Sequence, residues 1–284
     1  MPGVLYIVAT PIGNLEDISL RAIDTLKSVD LVAAEDTRHS RQLLNHFGIE
    51  ARMISCHEYN EESRSDEILE RLAEGEDVAL ISDAGTPLIS DPGFRLVRAA
   101  RQAGVRVSPI PGANSAITAL SAAGLATTSF HFYGFLSPKK QQRGAQLEAL
   151  RDLTGTLVLF ESSHRIKDLL RQMAEVFPDH HCVIAKELTK LHEQFLAGSP
   201  AQLLQLFDDD KALSRGEFVV LIDNPADAGS EAPEGDDADL LRVLVDELPL
   251  KQAVKIAARL SRAKKNDLYQ LALQIRDSKE AESG

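Results

Sequence analysis

Five times within the first 124 residues, a short run of Val, Ile, Leu and Ala gives way to a longer amphipathic stretch. The runs at 4–9, 30–34, 52–55, 78–82 and 105–110 lack the polar alternation of a half-exposed strand, so both faces of each must be covered. A parallel sheet with helices packed on its faces meets that demand, and this limits the amino-terminal part to an α/β architecture. Gly48, Gly75 and Gly104 each stand between a helical stretch and the next strand, where a left-handed residue ends a helix.

A second series follows, with strand runs at 131–134, 156–160, 182–185, 194–197 and 217–222, and it carries its own core. The sequence thus predicts one α/β domain over 1–124 and another over 125–223. Residues 223–239 hold seven acids, no base and almost no large apolar side chain, so 224–239 reads as an acidic flexible linker. Beyond it, 240–247, 251–260 and 266–275 read as three short helices, a compact module over 240–284 resembling a helix-turn-helix.

At 284 residues the chain is long enough for two cores. No stretch approaches the ~18 apolar residues of a membrane helix, and the start has no charged-then-apolar leader, so no membrane partner and a cytoplasmic location are expected. Cys56 and Cys182 have no metal-type spacing and are expected to pack as small apolar side chains, with no metal site. The formal net charge of -12 speaks against a nucleic-acid partner until its distribution is considered. Residues 240–265 carry seven bases against two acids, so the tail is locally basic.

Ligands of open parallel sheets bind beyond the carboxyl ends of the strands. Three loops there are Gly/Pro turns of small residues: Thr10-Pro11-Ile12-Gly13-Asn14, Ser82-Asp83-Ala84-Gly85-Thr86-Pro87 and Pro111-Gly112-Ala113-Asn114-Ser115-Ala116. Any one of them is adequately explained as a turn, but three at one sheet edge let backbone approach a ligand closely. None fits a dinucleotide or phosphate-loop fingerprint, so a phosphorylated cofactor is not expected.

These loops, with the run from Tyr6 to Ala22, resemble the tetrapyrrole-methylase fold, the class III S-adenosylmethionine-dependent methyltransferases. Further motifs narrow the resemblance to the 16S ribosomal RNA (cytidine-2′-O)-methyltransferases. They are Ala34-Glu35-Asp36-Thr37-Arg38, Tyr133-Gly134-Phe135-Leu136, Glu161-Ser162-Ser163-His164-Arg165 and Lys186-Glu187-Leu188-Thr189-Lys190. The resemblance spans nearly the whole chain. It implies two α/β domains with a cleft between them holding S-adenosyl-L-methionine, a homodimer, and 16S ribosomal RNA or the small ribosomal subunit as partner. It further implies donor contacts from Pro11, Asp83, Thr86, Ser115, Ala116, Phe160 and Ala185. The turn Pro11-Ile12-Gly13-Asn14 departs from the Gly-Pro-Gly-Asp of corrin and porphyrin methylases, which argues against a macrocycle.

A ribose 2′-hydroxyl is a poor nucleophile, so a base or a neighbouring cation should assist its attack. Glu35, Asp36 and Arg38 after the second strand, and Lys186 in the second domain, are the candidate catalytic groups, with His57 a weaker one. Glu35 and Asp36 equally suit the start of a helix, where acids are favoured, and both readings stand. For RNA phosphates the candidates are Lys139, Lys140 and Arg143 in a basic loop, Arg165, and the tail bases Lys251, Lys255, Arg259, Lys264 and Lys265. Lys251, Lys255 and Arg259 recur every four residues and share a helix face, though solubility alone also accounts for such a face. Two other functions fit the same features: methylation of a small molecule such as a precorrin, and a non-catalytic cofactor-binding regulator whose tail binds nucleic acid.

Overall fold

The computed structural model describes residues 2–225, 235–260 and 265–282, except for the side chains of 235–237, 258–259, 265–267 and 277–282. It divides into one compact unit up to Asp223 and a second from Asn224 onward. The first unit contains two five-stranded sheets.

The amino-terminal sheet is built from β1 (Val4–Val8), β2 (Leu31–Ala34), β3 (Met53–Ser55), β4 (Val78–Ile81) and β5 (Arg106–Ile110) in the order β3-β2-β4-β1-β5. Every pairing in it is parallel. All four residues of β2 and of β4 are buried, which is why their sequences are continuously apolar. The helices α1 (Leu20–Ser28), α2 (Thr37–His46), α3 (Glu61–Glu74) and α4 (Phe94–Gln102) connect these strands. They bury two apolar layers, one around Leu26, Leu44 and Ile81, the other around Leu5, Ile68, Leu72 and Leu96. Gly48, Gly75 and Gly104 have φ of 61°, 98° and 73°, the left-handed helix ends expected from the sequence.

Helix α5 (Ser115–Ala122) leads into the second sheet: β6 (Phe130–Phe135), α6 (Lys140–Leu150), β7 (Gly155–Ser162), α7 (Ile166–Val176), β8 (Cys182–Lys186), β9 (Gln194–Gly198), α8 (Pro200–Asp209) and β10 (Glu217–Asn224). Its order is β6-β7-β10-β8-β9, parallel between β6 and β7 but antiparallel between β10, β8 and β9. Leu147, Leu170, Met173, Phe177 and Phe207 pack on one face of this sheet, and Ala119, Leu120, Val183 and Leu221 on the other. Both cysteines are buried in these cores, and burial pushes the Cys56 thiol to about 11 and Cys182 to about 12.

Helices α9 (Gly235–Glu247), α10 (Leu250–Leu260) and α11 (Lys265–Glu282) make up the second unit around Leu241, Val254, Ala257, Leu268 and Ala272. The first of them starts at Gly235, five residues inside the stretch read as linker. Four of those five are Asp or Ala, and acids are favoured in a first helical turn. Residues 226–234 of that stretch lie outside the described residues. Among the described residues, no helix is long and apolar enough to cross a membrane.

Candidate active site

In the order β3-β2-β4-β1-β5 the connection leaving β1 runs along the sheet one way, to β2, and that leaving β4 the other way, to β5, the kind of switch point beyond whose strand ends ligands bind. The loops leaving those two strands are joined directly. Thr10 N–H donates to Gly85 O at 2.8 Å, and Gly85 N–H returns the bond to Thr10 O at 3.0 Å. Thr86 Oγ1 donates to Ala113 O at 3.0 Å, which ties the third loop, after β5, to the second. At the start of α5, Asn114 caps the helix by accepting from Ile117 N–H at 3.2 Å.

The three loops form one wall of a cavity of about 410 Å³, a size suited to a nucleoside-sized ligand. Its opposite wall comes from the second sheet, through Phe135, Phe160, Glu161, Ser162, Ala185, Glu217, Phe218 and Val219, and from Leu188 just beyond β8. The two walls approach closely at two glycines. A Cβ on Gly13 would lie 2.6 Å from Lys190 Cγ, and one on Gly134 would lie 2.7 Å from Ser90 Oγ.

Of the residues expected to contact a cofactor, Asp83, Thr86, Ser115, Phe160 and Ala185 line this cavity. Pro11 and Ala116 do not; they are buried beside the lining residues Ile12 and Ser115. Of the catalytic candidates only Glu35 lines it. Burial, then the charge of Asp83, raises the Glu35 pKa above its ordinary value, against the polar backbone of Asp83, which favours the charged form. Asp36 instead caps α2, its Oδ1 accepting from Arg38 N–H at 2.8 Å. The Arg38 guanidinium lies 2.9 Å from Asp36 Oδ2 and holds that carboxyl down to about 2, too weak a base to take a hydroxyl proton. Arg38 itself is exposed, its side chain 90% accessible.

The structure corrects three other expectations. Lys186 does not line the cavity: alternation along β8 puts Ala185 on the cavity face and Lys186 on the face of Cys182 and Ile184, where it is 6% exposed. Arg143, expected at an RNA-facing surface, is 4% exposed and donates through Nε to Gln172 Oε1. Arg165 is occupied within the fold, 2.8 Å from Glu161 Oε1 and donating to Leu136 O at 3.2 Å. Lys139, Lys140, Lys251 and Lys255 are exposed. Lys264 lies outside the described residues, as do the side chains of Arg259 and Lys265.

Asp91 and Glu161, acids to which sequence reasoning gave no role, also line the cavity. Asp91 follows a segment in which Leu88 and Ser90 have φ of 73° and 71°, sparsely populated values for residues with a side chain. That segment is secured at its far end by buried Glu61, whose Oε1 accepts from Gly93 N–H at 3.1 Å and Arg95 N–H at 2.8 Å. Burial raises the Asp91 carboxyl to about 6, against a hydrogen bond from Ser82. Glu161, at the end of β7, is the other. An acid closing the apolar run Leu157-Val158-Leu159-Phe160 was the available signal for it.

The comparisons with known proteins agree with this architecture. Residues 4–204 match the family model for Tetrapyrrole (Corrin/Porphyrin) Methylases, and residues 231–276 match the RsmI C-terminal HTH domain. Among solved structures, a diphthine synthase superposes with a TM-score of 0.62 at 19% identity, covering 78% of this chain and 89% of its own. A uroporphyrin-III-C-methyltransferase from Thermus thermophilus gives 0.56 at 22%, covering 80% and 97%. At those identities the likeness concerns the fold alone. The Ribosomal RNA small subunit methyltransferase I of Pseudomonas aeruginosa is 50% identical, covering 96% of this chain and 97% of the relative. That of Escherichia coli O157:H7 is 47% identical, covering 96% and 95%. With such identity sustained over nearly its full length, the chain belongs to the ribosomal RNA small subunit methyltransferase I family.

Proposed function

We propose that this enzyme methylates 16S ribosomal RNA of the small subunit, transferring the methyl group of S-adenosylmethionine to a cytidine ribose 2′-hydroxyl. The observation that carries the reading is the meeting of three small-residue loops over one cavity, in a chain whose relatives are named for small-subunit RNA methylation.

The residues present fit such a donor. A Cβ at Gly85 would come within 3.3 Å of Ile12 Cγ2, so a bare backbone is needed where the first two loops meet. The donor group would be held by Asp83, Thr86 and Ser115 on one wall and by Phe160 and Ala185 on the other. When bound, it supplies an electrophilic methyl on a sulfonium.

The chain must then align the hydroxyl and receive its proton, and alignment is the larger contribution to such displacements. Glu35 and Asp91, both raised by burial, are the proton acceptors that face the cavity, and Asp91, at about 6, is suited to near-neutral pH. Arg38, exposed beside Asp36, suits a phosphate flanking the acceptor nucleotide. Lys139 and Lys140, with the α10 face carrying Lys251 and Lys255, suit further phosphates. The same reading has the enzyme act in the cytoplasm as a homodimer, supported by apolar Leu15 and Leu20 standing exposed beside the first loop.

The test is to incubate the full chain with radiolabelled donor and, separately, small subunits, naked ribosomal RNA and transfer RNA. Label is expected in small-subunit RNA, at a position resistant to alkaline cleavage. Label confined to base atoms, or absent from subunits of a strain lacking the enzyme, contradicts the reading.

A further inference from the structure

The carboxylate of Glu161 is only half used. Its side chain is fully buried at the carboxyl end of β7. Oε1 accepts from Ser162 N–H at 2.7 Å and lies 2.8 Å from Arg165 Nε. Oε2 is sealed from solvent, and among the described residues no donor reaches it. Arg165 does not turn to it, because another guanidinium nitrogen donates to Leu136 O. An unmatched buried acceptor is costly in a folded protein, and its persistence in a cavity wall points to a donor arriving with a ligand.

The neighbouring surface restricts what that ligand is. Phe135 and Phe160 are register partners across β6 and β7, with ring centroids 5.6 Å apart, and both line the cavity beside Glu161. Phe135 is 53% exposed, an aromatic side chain left largely uncovered at the cavity wall. An uncovered aromatic ring is a stacking surface for a planar heterocycle. An ionised carboxylate only accepts hydrogen bonds, so it favours a ring bearing an exocyclic amine over the same ring bearing a carbonyl.

The geometry points to this wall as a recognition site for an amino-bearing heteroaromatic ring, stacked on Phe135 with its exocyclic amine donating to Glu161 Oε2. The inference rests on the methyl-transfer reading above and deepens it. Two ligands in that reading carry such a ring: the cytosine of the acceptor nucleotide and the adenine of the methyl donor. Cytosine against uracil, and adenine against hypoxanthine, are the pairs this wall distinguishes.

The experiment compares the full-length wild type, Glu161→Gln and Phe135→Leu in two arms. The first measures single-turnover methylation of small subunits carrying cytidine or uridine at the modified position. The second measures by calorimetry the affinity for S-adenosylhomocysteine and for S-inosylhomocysteine, and needs no RNA. In one arm the wild type is expected to prefer the amino ligand about ten- to hundredfold. Glu161→Gln is expected to bring that ratio towards unity, and Phe135→Leu to weaken both members of the pair alike. The arm that responds identifies the ring. A wild type without preference in either arm, or a preference that Glu161→Gln leaves intact, overturns the inference. If RNA is not methylated at all, the methyl-transfer reading has failed and the calorimetric arm decides this inference alone. Should Glu161→Gln not fold, Phe135→Leu, altered at an exposed position, still decides: unchanged handling of both pairs overturns the stacking wall.

Discussion

Asp83 Oδ1 accepts the backbone N–H of Asp36 at 3.0 Å, tying the loop after β4 to the residue that caps α2. This bond holds the residue next to Glu35 and anchors the loop that faces the proposed donor. Asp83 also borders Glu35 in the cavity wall, and its charge adds to the burial that raises the Glu35 carboxyl.

Replacing Asp83 with Ala is therefore expected to affect binding more than folding. Loss of one charged acceptor costs about 1–3 kcal/mol of stability, read by chemical denaturation. Affinity for S-adenosylhomocysteine is expected to fall at least tenfold by calorimetry. Asp83→Asn keeps an acceptor at the same position and is expected to recover most of the stability but not the affinity. An Asp83→Ala protein that binds as tightly as wild type removes Asp83 from the site.

Asp91 carries a pH signature. Its carboxyl rises from 3.8 to about 6 on folding, so the native chain holds this proton more tightly than the unfolded one. Asp91 is thus expected to cost no stability below about pH 4, an increasing amount up to about pH 6, and a constant amount above. For a carboxyl still partly open to solvent that cost is about 1 kcal/mol. Asp91→Asn is expected to gain this at pH 7.5 and nothing at pH 4, while lowering methyl transfer at pH 7.5 by one to two orders of magnitude. Denaturation curves at the two pH values and single-turnover rates check both.

Gly134 joins the two walls. Its φ is 75° in a strand whose pairing register shifts between Phe132 and Gly134, and an added Cβ would lie 2.7 Å from Ser90 Oγ. Gly134→Ala is expected to cost about 1–2 kcal/mol and to displace the segment carrying Asp91. Its methylation rate should fall more than its thermal stability. A rate unchanged from wild type shows that this contact does not position the site.

The helical unit has its own buried core in Leu241, Val254, Ala257, Leu268 and Ala272, and exposed Lys251 and Lys255 on α10. Removing residues 224–284 is expected to weaken RNA binding and flatten its dependence on salt, with affinity for S-adenosylhomocysteine nearly unchanged. Filter binding over a salt series and calorimetry measure the two. Equal loss of both shows that the helices are needed for the first unit to fold.

The parts of this molecule legible in its sequence are those set by local chemistry. Continuous apolar runs betrayed β2 and β4 because a strand buried on both faces admits little else, and Gly75 marked the end of α3 because few residues tolerate φ of 98°. The three loops were legible because small residues after a strand serve close approach. Asp91 and the recognition role of Glu161 were not, since both arise when distant strands bring their ends together and nothing local marks the burial that changes an acid. Arg143 misled for a similar reason: basic neighbours suggest an exposed face, while Gln172, 29 residues away, gives its guanidinium a partner inside. Lys186 turned on pleat parity, fixed only once the pairing of β8 with β10 was known.

The central claim is that the loops at 10–14, 82–87 and 111–116 hold the methyl donor against the second sheet. The most direct measurement is a crystal structure of the enzyme with S-adenosylhomocysteine. The expected result is density for the ligand between Asp83, Thr86 and Ser115 on one side and Phe160 and Ala185 on the other. Density elsewhere, with those loops free of ligand, contradicts the account and the residue roles that follow from it.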